Sequence, residues 1–276
     1  MEGSLNISVA PEAILTIGGI ELSSSMISSV FVTLILFGFV FAVRSRLKII
    51  PGNLQIVAEG VVGFFYDQLL QAYGGDAKKA KRYLALIVSL FLFIFVSNQF
   101  TIIPLTQSIV VDGVNVFRAP TSHFSLTLAL AIITFLVSNV IAFSMSPIKW
   151  MGNFVKIGSI LKIRKPADVG QALLDLFLGV LDIVGELAKV ISLSARLFGN
   201  VFAGEVMVVV IASLSVFTRY FVPVPFYALG LLSGLIQALV FAVLSLSFIA
   251  GMHNTIEEAV EQGKEEKANK KKAMAT

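Results

Sequence analysis

Arg196 is the residue whose chemistry most needs an explanation, because it interrupts a long apolar stretch, ISLSARLFGNVFAGE, at residues 191–205. A guanidinium keeps its proton in proteins, and placing it at the centre of a membrane helix costs roughly 2.5–3.5 kcal/mol. A fixed positive charge at that depth repels protons and sodium ions. It also attracts a carboxylate on a partner and lowers the pKa of that carboxylate. The residue indicates ion translocation; the alternative is an arginine that snorkels to the interface or pairs with a nearby carboxylate.

Further ionisable residues belong to the same apolar region. Seven residues are nearly two helical turns, so one stripe of a helix would carry four residues spaced by seven: Asp175, Asp182, Lys189 and Arg196. Glu186 and Ser192 lie close to this stripe. Glu205 follows Arg196 by nine residues, which predicts the opposite face about 13 Å further along the helix. The residues fit a hydrated ion path, but an interfacial position, or a structural network of Asp182 and Glu186 with Lys189, is the alternative.

Three uncharged polar residues also lie in apolar surroundings: Asn98, Asn200 and Gln237. Polar side chains at such positions either face a water-filled path or hydrogen-bond across packed helices. The sequence does not separate these two readings.

The composition is that of a membrane protein. The chain has 276 residues, of which 57% are hydrophobic and 14% charged, and its mean hydropathy is +0.90. The absence of cysteine excludes disulfides and thiolate metal sites. Only two histidines occur, far apart in sequence, so we expect no metal site and no cofactor. The N-terminus lacks a basic n-region, so we expect no cleaved signal peptide.

Five apolar regions predict an all-α polytopic membrane protein with five membrane-crossing helices. They are Met26–Val43, Leu84–Ile103, Phe124–Met145, about Val169–Phe217 and about Pro225–Met252. Most of the 21 Lys and Arg residues form blocks in alternate loops and in the tail, so the net charge of +4 indicates a topology and not a nucleic-acid partner. The positive-inside rule predicts an outside N-terminus and a cytoplasmic C-terminus.

The same pattern divides the chain into three parts. We expect an extracytoplasmic segment at 1–25, one membrane domain at 26–253 and a charged cytoplasmic tail at 254–276. Gly52–Gly75 reads as an amphipathic helix on the cytoplasmic surface.

The last two apolar regions are too long for an upright span. A helix over Val169–Phe217 would extend about 70 Å, whereas the hydrocarbon core is about 30 Å thick. Such a helix must lie steeply inclined or break, and Gly179 and Gly185 are the candidate bends. Together the two regions predict a long, steeply tilted hairpin suited to packing against a large curved partner.

The run Ser192–Glu205, with its arginine, its Leu-Phe-Gly-Asn and its Ala-Gly-Glu, resembles the signature of subunit a of the F-type ATP synthase. Gln237 falls where that family has a glutamine in its last helix, and Asn98 followed by Pro104 is similar to the end of its second span. Asp182 and Lys189 match an acidic and a basic position upstream of the arginine. The resemblance covers roughly residues 26–253.

The resemblance implies a non-catalytic stator subunit beside a ring of c subunits, with peripheral-stalk b subunits, the rest of the complex and the lipid bilayer as its other partners. It also implies a bacterial cytoplasmic (inner) membrane location. Arg196 would separate two half-channels that carry protons to and from a ring carboxylate. The outer half-channel would include Glu205, Gln237, Asn200 and Asn98. The cytoplasmic one would include Ser192, Asp182 and Glu186.

The sequence departs from the family pattern at two positions. Gly230 stands where many bacterial members carry a histidine, and the start of the third span reads His-Phe-Ser-Leu-Thr where an Asp-x-Asn-x-Thr is usual. We hypothesise that His123, at the outer surface, takes up protons in place of that acid, since its ordinary pKa near ~6.5 suits proton exchange; a solvated interfacial histidine is the alternative. A sodium-translocating subunit, a self-contained secondary transporter and a purely structural anchor are the competing functions.

Overall fold

The computed structural model describes residues 13–17, 20–100, 110–111, 114–115, 119–154, 166–214 and 223–274. Several sequence predictions concern residues outside these ranges: the start of the N-terminal segment, the end of the second span with Pro104, and part of the basic loop residues (Arg118, Lys156, Lys162, Arg164, Lys165 and Arg219).

Seven α-helices dominate the described residues, so the predicted helical class is confirmed for the apolar regions. They are α1 (Ser24–Ser45), α2 (Asn53–Ala72), α3 (Ala77–Gln99), α4 (Phe124–Met145), α5 (Pro147–Phe154), α6 (Pro166–Leu214) and α7 (Pro223–Ala273). A short 3₁₀ helix, Pro120–Ser122, precedes α4. The helix α5 was not predicted, because eight residues are too few to show a period.

Two small antiparallel ladders were also not predicted. The first pairs β1 (Ala13–Ile17) with β2 (Ile20–Ser23), which leads directly into α1. The second pairs β3 (Val110–Val111) with β4 (Val114–Asn115) between α3 and α4. The two-residue strands β3 and β4 are below the four residues at which alternation is recognisable, and β1 and β2, with five and four residues, are close to that minimum.

Four described helices are long and apolar enough to cross a membrane: α1, α3, α4 and most of α7. Exposed apolar side chains along α1, among them Leu34, Phe37 and Phe41, are those that lipid would cover. The predicted amphipathic segment forms α2, and most of the charged tail forms the uninterrupted end of α7.

The two over-long apolar regions each form one continuous helix. The helix α6 has 49 residues and runs through Gly179 and Gly185, so neither glycine breaks it. The helix α7 has 51 residues. The sequence predicted that the helix over Val169–Phe217 would either incline steeply or break. Backbone hydrogen bonding is continuous through α6, so the prediction of a break is wrong.

The turn between α2 and α3 shows how local sequence fixes a connection. Gly74 and Gly75 have φ values of 59° and 91°, which glycine adopts without strain. The Asp76 carboxylate then accepts hydrogen bonds from the backbone N–H groups of Lys78 and Lys79, at 2.9 and 3.3 Å, and caps α3. These donors lower the pKa of Asp76 below its ordinary value.

The chain forms two compact units, and α6 and α7 each contribute to both. The first unit contains the described residues up to Leu130 together with Leu193–Leu244; one of its buried clusters joins Val32, Phe100, Ala119 and Val201. The second contains Ala131–Ser192 and the residues from Ser245 onward, with a buried cluster of Ala142, Met252 and Ile256.

Candidate ion-translocation site

The arginine is carried by the part of α6 that belongs to the first unit. Leu193, Leu197 and Val201 recur every four residues and are buried, so this face of the helix packs inward. Arg196 lies 100° of helical rotation from Leu197, and its side chain is exposed. Ala195 and Gly199 beside it are also exposed and small. Side chains of this size let a neighbouring helix approach the arginine closely.

No described residue neutralises the guanidinium of Arg196. Across the described ranges it forms no ion pair and no hydrogen bond. The alternative of an arginine paired with a carboxylate of its own chain is therefore not what these residues show. Its positive charge is therefore uncompensated within the part of the chain that the structure describes.

Asn98 is the centre of a buried hydrogen-bonded group in the first unit. Its side chain is 2% exposed. The amide Nδ2 donates to the carbonyl of Gly234 on α7 at 3.0 Å, and the Thr121 hydroxyl donates to Asn98 Oδ1 at 2.8 Å. A Cβ built on Gly234 would lie 3.1 Å from the Asn98 Cβ, so α3 and α7 approach closely here. This geometry favours the packing interpretation of Asn98.

Asn200 makes a similar connection between α6 and α7. The Ser233 hydroxyl donates to Asn200 Oδ1 at 2.8 Å, and Asn200 Nδ2 reaches the Ser233 carbonyl at 3.5 Å. Ser233 is the neighbour of Gly234, so both asparagines hold the same turn of α7. Asn200 thus also acts as a contact between helices.

Gln237 lies one turn beyond Gly234 on α7, and its side chain is only 8% exposed. Its Nε2 is buried and has no hydrogen-bond partner in the described part of the chain. A buried amide donor without a partner costs about 1–3 kcal/mol, and such groups in native proteins commonly bind ordered water or act at functional sites. Of Asn98, Asn200 and Gln237, Gln237 is the residue whose surroundings best fit a hydrated path.

Glu205 is half-buried on α6. Between it and Arg196, Phe198 and Phe202 stack with their ring centroids 5.3 Å apart, and Phe124 contacts Phe198 edge to face at 5.7 Å. Aromatic rings therefore line α6 over the turns that separate the carboxylate from the guanidinium.

His123 is buried. Its side chain is 2% exposed and lies at the end of the 3₁₀ helix, immediately before α4. The alternative of a solvated interfacial histidine is therefore wrong, whereas the entry role at the outer end of the third span stays a prediction. If His123 transfers protons, its imidazole does so from a buried position.

The residues assigned to the cytoplasmic side belong to the second unit and differ in their environments. The Lys189 ammonium forms an ion pair with the Glu186 carboxylate and lies 5.4 Å from the centroid of the Phe248 ring. Asp182 and Ser192 are exposed. The structural pairing of Glu186 with Lys189 is confirmed, whereas Asp182 takes no part in it.

Sequence reasoning missed the partners of these polar residues. Thr121, Ser233 and Gly234 complete the two asparagine contacts, and Thr134 meets Ser245 at 3.3 Å in the second unit. Hydroxyls and glycines are common in membrane helices, so their presence alone does not predict which residues meet. Among the described residues, no group of three His, Asp or Glu side chains could hold a metal ion.

Comparisons with known proteins agree with this arrangement. The family model described as ATP synthase A chain matches residues 26–250. The chain is 33% identical to ATP synthase subunit a of Moorella thermoacetica, over 88% of this chain and 96% of the relative. It is 29% identical to ATP synthase subunit a of Syntrophobacter fumaroxidans, over 88% of this chain and 90% of the relative. Because the family model covers residues 26–250 and the Moorella thermoacetica relative is matched over most of both chains, this chain belongs to the ATP synthase A chain family.

Proposed function

We propose that this membrane subunit of the F0 sector carries two offset half-channels that are separated by Arg196. Protons would reach a carboxylate of the c-subunit ring through one half-channel and leave through the other. The charge of the arginine prevents a continuous path, because it repels cations that would otherwise cross directly. Each elementary charge that crosses 100 mV releases about 2.3 kcal/mol, which rotation would harvest.

The observation that carries this proposal is the combination of exposure and lack of a partner at Arg196. A guanidinium that stabilised its own subunit would be paired within the chain, and this one is not paired with any described residue. Its small neighbours Ala195 and Gly199 leave room for a helix of the ring. A ring carboxylate brought to this position would be held ionised by the positive charge and would release its proton.

In the outer half-channel, we assign some of the polar residues to proton exchange and others to helix packing at its edge. Glu205 and Gln237 are the groups that would exchange protons or hold water. Asn98 and Asn200 would keep α3, α6 and α7 in register at its edge, since their amides are occupied by backbone or hydroxyl partners. His123 would act from its buried position, if the path reaches it, and not from the surface.

In the cytoplasmic half-channel, Asp182 and Ser192 are the exposed residues that would exchange protons or bind water. Glu186 would contribute less to proton transfer, because Lys189 neutralises its charge. The Glu186–Lys189 ion pair would instead contribute to the electrostatic potential beside the proton path.

This function requires the topology derived from the sequence. The chain would cross the inner membrane five times, with its N-terminus outside and its C-terminus in the cytoplasm. The helices α6 and α7 would form the inclined hairpin beside the c ring, since about 70 Å of helix exceeds the bilayer thickness. The b subunits of the peripheral stalk would hold it stationary, and residues 1–25 and 254–276 would extend from its single membrane domain.

Arg196→Ala in the assembled complex tests the proposal. We expect ATP-driven ion pumping to be lost, passive proton leak to rise and the thermal stability of the subunit to stay at the wild-type value. The control is Arg82→Ala, which removes another exposed arginine, near the start of α3, and should leave pumping intact. Intact coupling in Arg196→Ala would reject the role of separator. Pumping measured with and without sodium distinguishes the proton from the sodium version.

A further inference from the structure

The connection between α1 and α2 combines charge and exposed apolar surface in a way that the proposed function does not use. We define the basic loop as Arg44–Pro51, with the sequence RSRLKIIP. We propose that the basic loop is a binding site for anionic phospholipid, with its cations on the phosphate and its isoleucines in the acyl region.

The position of the basic loop follows from the length of α1. This helix has 22 residues, which extend about 33 Å, close to the roughly 30 Å of a hydrocarbon core. Arg44 lies in its last turn, and Arg46 and Lys48 follow directly. All three cations therefore lie at the depth of the lipid headgroups when α1 crosses the membrane.

The charge of the basic loop is not compensated by any residue that the structure describes. No ion pair of the described residues involves Arg44, Arg46 or Lys48. The nearest carboxylate in sequence, Glu59, accepts a hydrogen bond from Gln55 at 2.8 Å. Each basic residue near an anionic leaflet contributes about 1 kcal/mol to its attraction, so a phosphate-bearing lipid is the complementary partner.

Apolar side chains alternate with these cations and are uncovered. Ile49 is fully exposed, Ile50 is 85% exposed, and Leu47 between the cations is exposed as well. The first turns of α2 continue this surface with Ile56 and Val57. Exposed isoleucines at headgroup depth gain free energy by entering the acyl boundary, about 0.8 kcal/mol for each buried CH₂.

The backbone of the basic loop is held in place. The Lys48 N–H donates to Gln55 Oε1 at 3.1 Å, and Gln55 Nε2 donates to the Lys48 carbonyl at 3.1 Å. The same Nε2 donates to Glu59. This clamp fixes Lys48 against the first turns of α2, so the isoleucines project from an ordered turn. A preordered site loses less conformational entropy when lipid binds.

The test places a spin label on Ile50→Cys, since the natural chain contains no cysteine. The labelled chain in its full complex is reconstituted into phosphatidylcholine vesicles, with or without phosphatidylglycerol. Accessibility to oxygen reports the acyl region, and accessibility to a water-soluble nickel chelate reports the aqueous phase. We expect the label to be accessible to oxygen and shielded from nickel, and to move deeper when phosphatidylglycerol is present.

A charge-removed variant provides the decisive comparison. Arg44→Gln with Arg46→Gln and Lys48→Gln should abolish the deepening by phosphatidylglycerol. The matched control removes the same number of charges at Lys78, Lys79 and Lys81 and should retain it. A label accessible to nickel in both vesicles would overturn the proposal. A label shielded from both reagents would assign the surface to a protein partner, and a depth independent of phosphatidylglycerol would exclude recognition of anionic lipid.

Discussion

The substitution Asn98→Ala tests whether Asn98 packs helices together or takes part in the ion path. The substitution removes the donor to the Gly234 carbonyl and the acceptor of the Thr121 hydroxyl, at 3.0 and 2.8 Å. The Thr121 hydroxyl loses its acceptor in a region where Asn98 is 2% exposed, whereas the Gly234 carbonyl lies inside α7 and keeps its helical N–H partner. A buried polar group without a partner costs about 1–3 kcal/mol, and an ordinary hydrogen bond contributes about 0.5–1.5 kcal/mol. We therefore expect the free energy of unfolding to fall by about 1.5–4.5 kcal/mol.

The measurement is equilibrium unfolding of the full chain by SDS in mixed micelles, paired with ATP-driven pumping per assembled complex. Thr121→Val removes only one of the two bonds and should cost about 1 kcal/mol. The matched control is Gln99→Ala on the next residue, whose bond to the Leu231 carbonyl is 3.4 Å long. We expect a loss of about 0.5 kcal/mol or less from that variant.

The pattern of outcomes decides between the two roles. A packing residue predicts lower stability with pumping retained in the complexes that assemble. Wild-type stability together with abolished pumping would refute the reasoning, because Asn98 would then act on the ion and not on the helices.

Three further perturbations follow from single contacts. Gly234→Ala would place a Cβ 3.1 Å from the Asn98 Cβ, and we expect the overpacked helices to lose about 1–3 kcal/mol in SDS unfolding; an unchanged midpoint would contradict the close approach of α3 and α7. Trp150→Phe removes the 3.1 Å hydrogen bond from the indole Nε1 to Asn139 Oδ1 and should lower the free energy of unfolding by about 1 kcal/mol. Because Asn139→Ala removes the same hydrogen bond, the loss in the double variant should be smaller than the sum of the two single losses. The N–H groups that Asp76 caps lower its pKa in the folded state. Its contribution to the free energy of unfolding is therefore present above its unfolded pKa near 3.8 and is lost as the pH falls through the lower folded value. Asp76→Asn should keep the cap and remove this pH dependence, which unfolding measured over a series of acidic pH values would show.

The helices themselves could be predicted because apolar length is a strong signal. Phe124–Met145 was predicted with the bounds that α4 has, and α6 and α7 were expected to be over-long. The bilayer imposes this regularity, since every backbone N–H and C=O at membrane depth must be satisfied inside the helix. The ladders and α5 were not predicted, because the strands have five residues or fewer and the eight residues of α5 are fewer than a helical period needs to be recognised.

The individual site residues were less accessible to sequence reasoning. Glu186 and Asp182 both precede Lys189, but only Glu186 pairs with it. A spacing of three residues brings two side chains within reach, whereas seven residues separate Asp182 from Lys189 by about 10 Å along the helix. A solvated interfacial position was one alternative for His123, but its side chain is buried, and α1 and α3 both pack against the 3₁₀ helix that precedes it.

The sequence alone determined that this is a multi-pass membrane protein with a permanent positive charge in an apolar helix. Those properties depend on composition and on residue types, which do not change with the path of the chain. Only the tertiary structure decided that Arg196 lacks a partner among the described residues, that Asn98 and Asn200 bind the same turn of α7, and that Gln237 is buried with an unsatisfied amide. Such contacts join residues up to 136 positions apart, and the side chain that fills a given space depends on every helix packed around it.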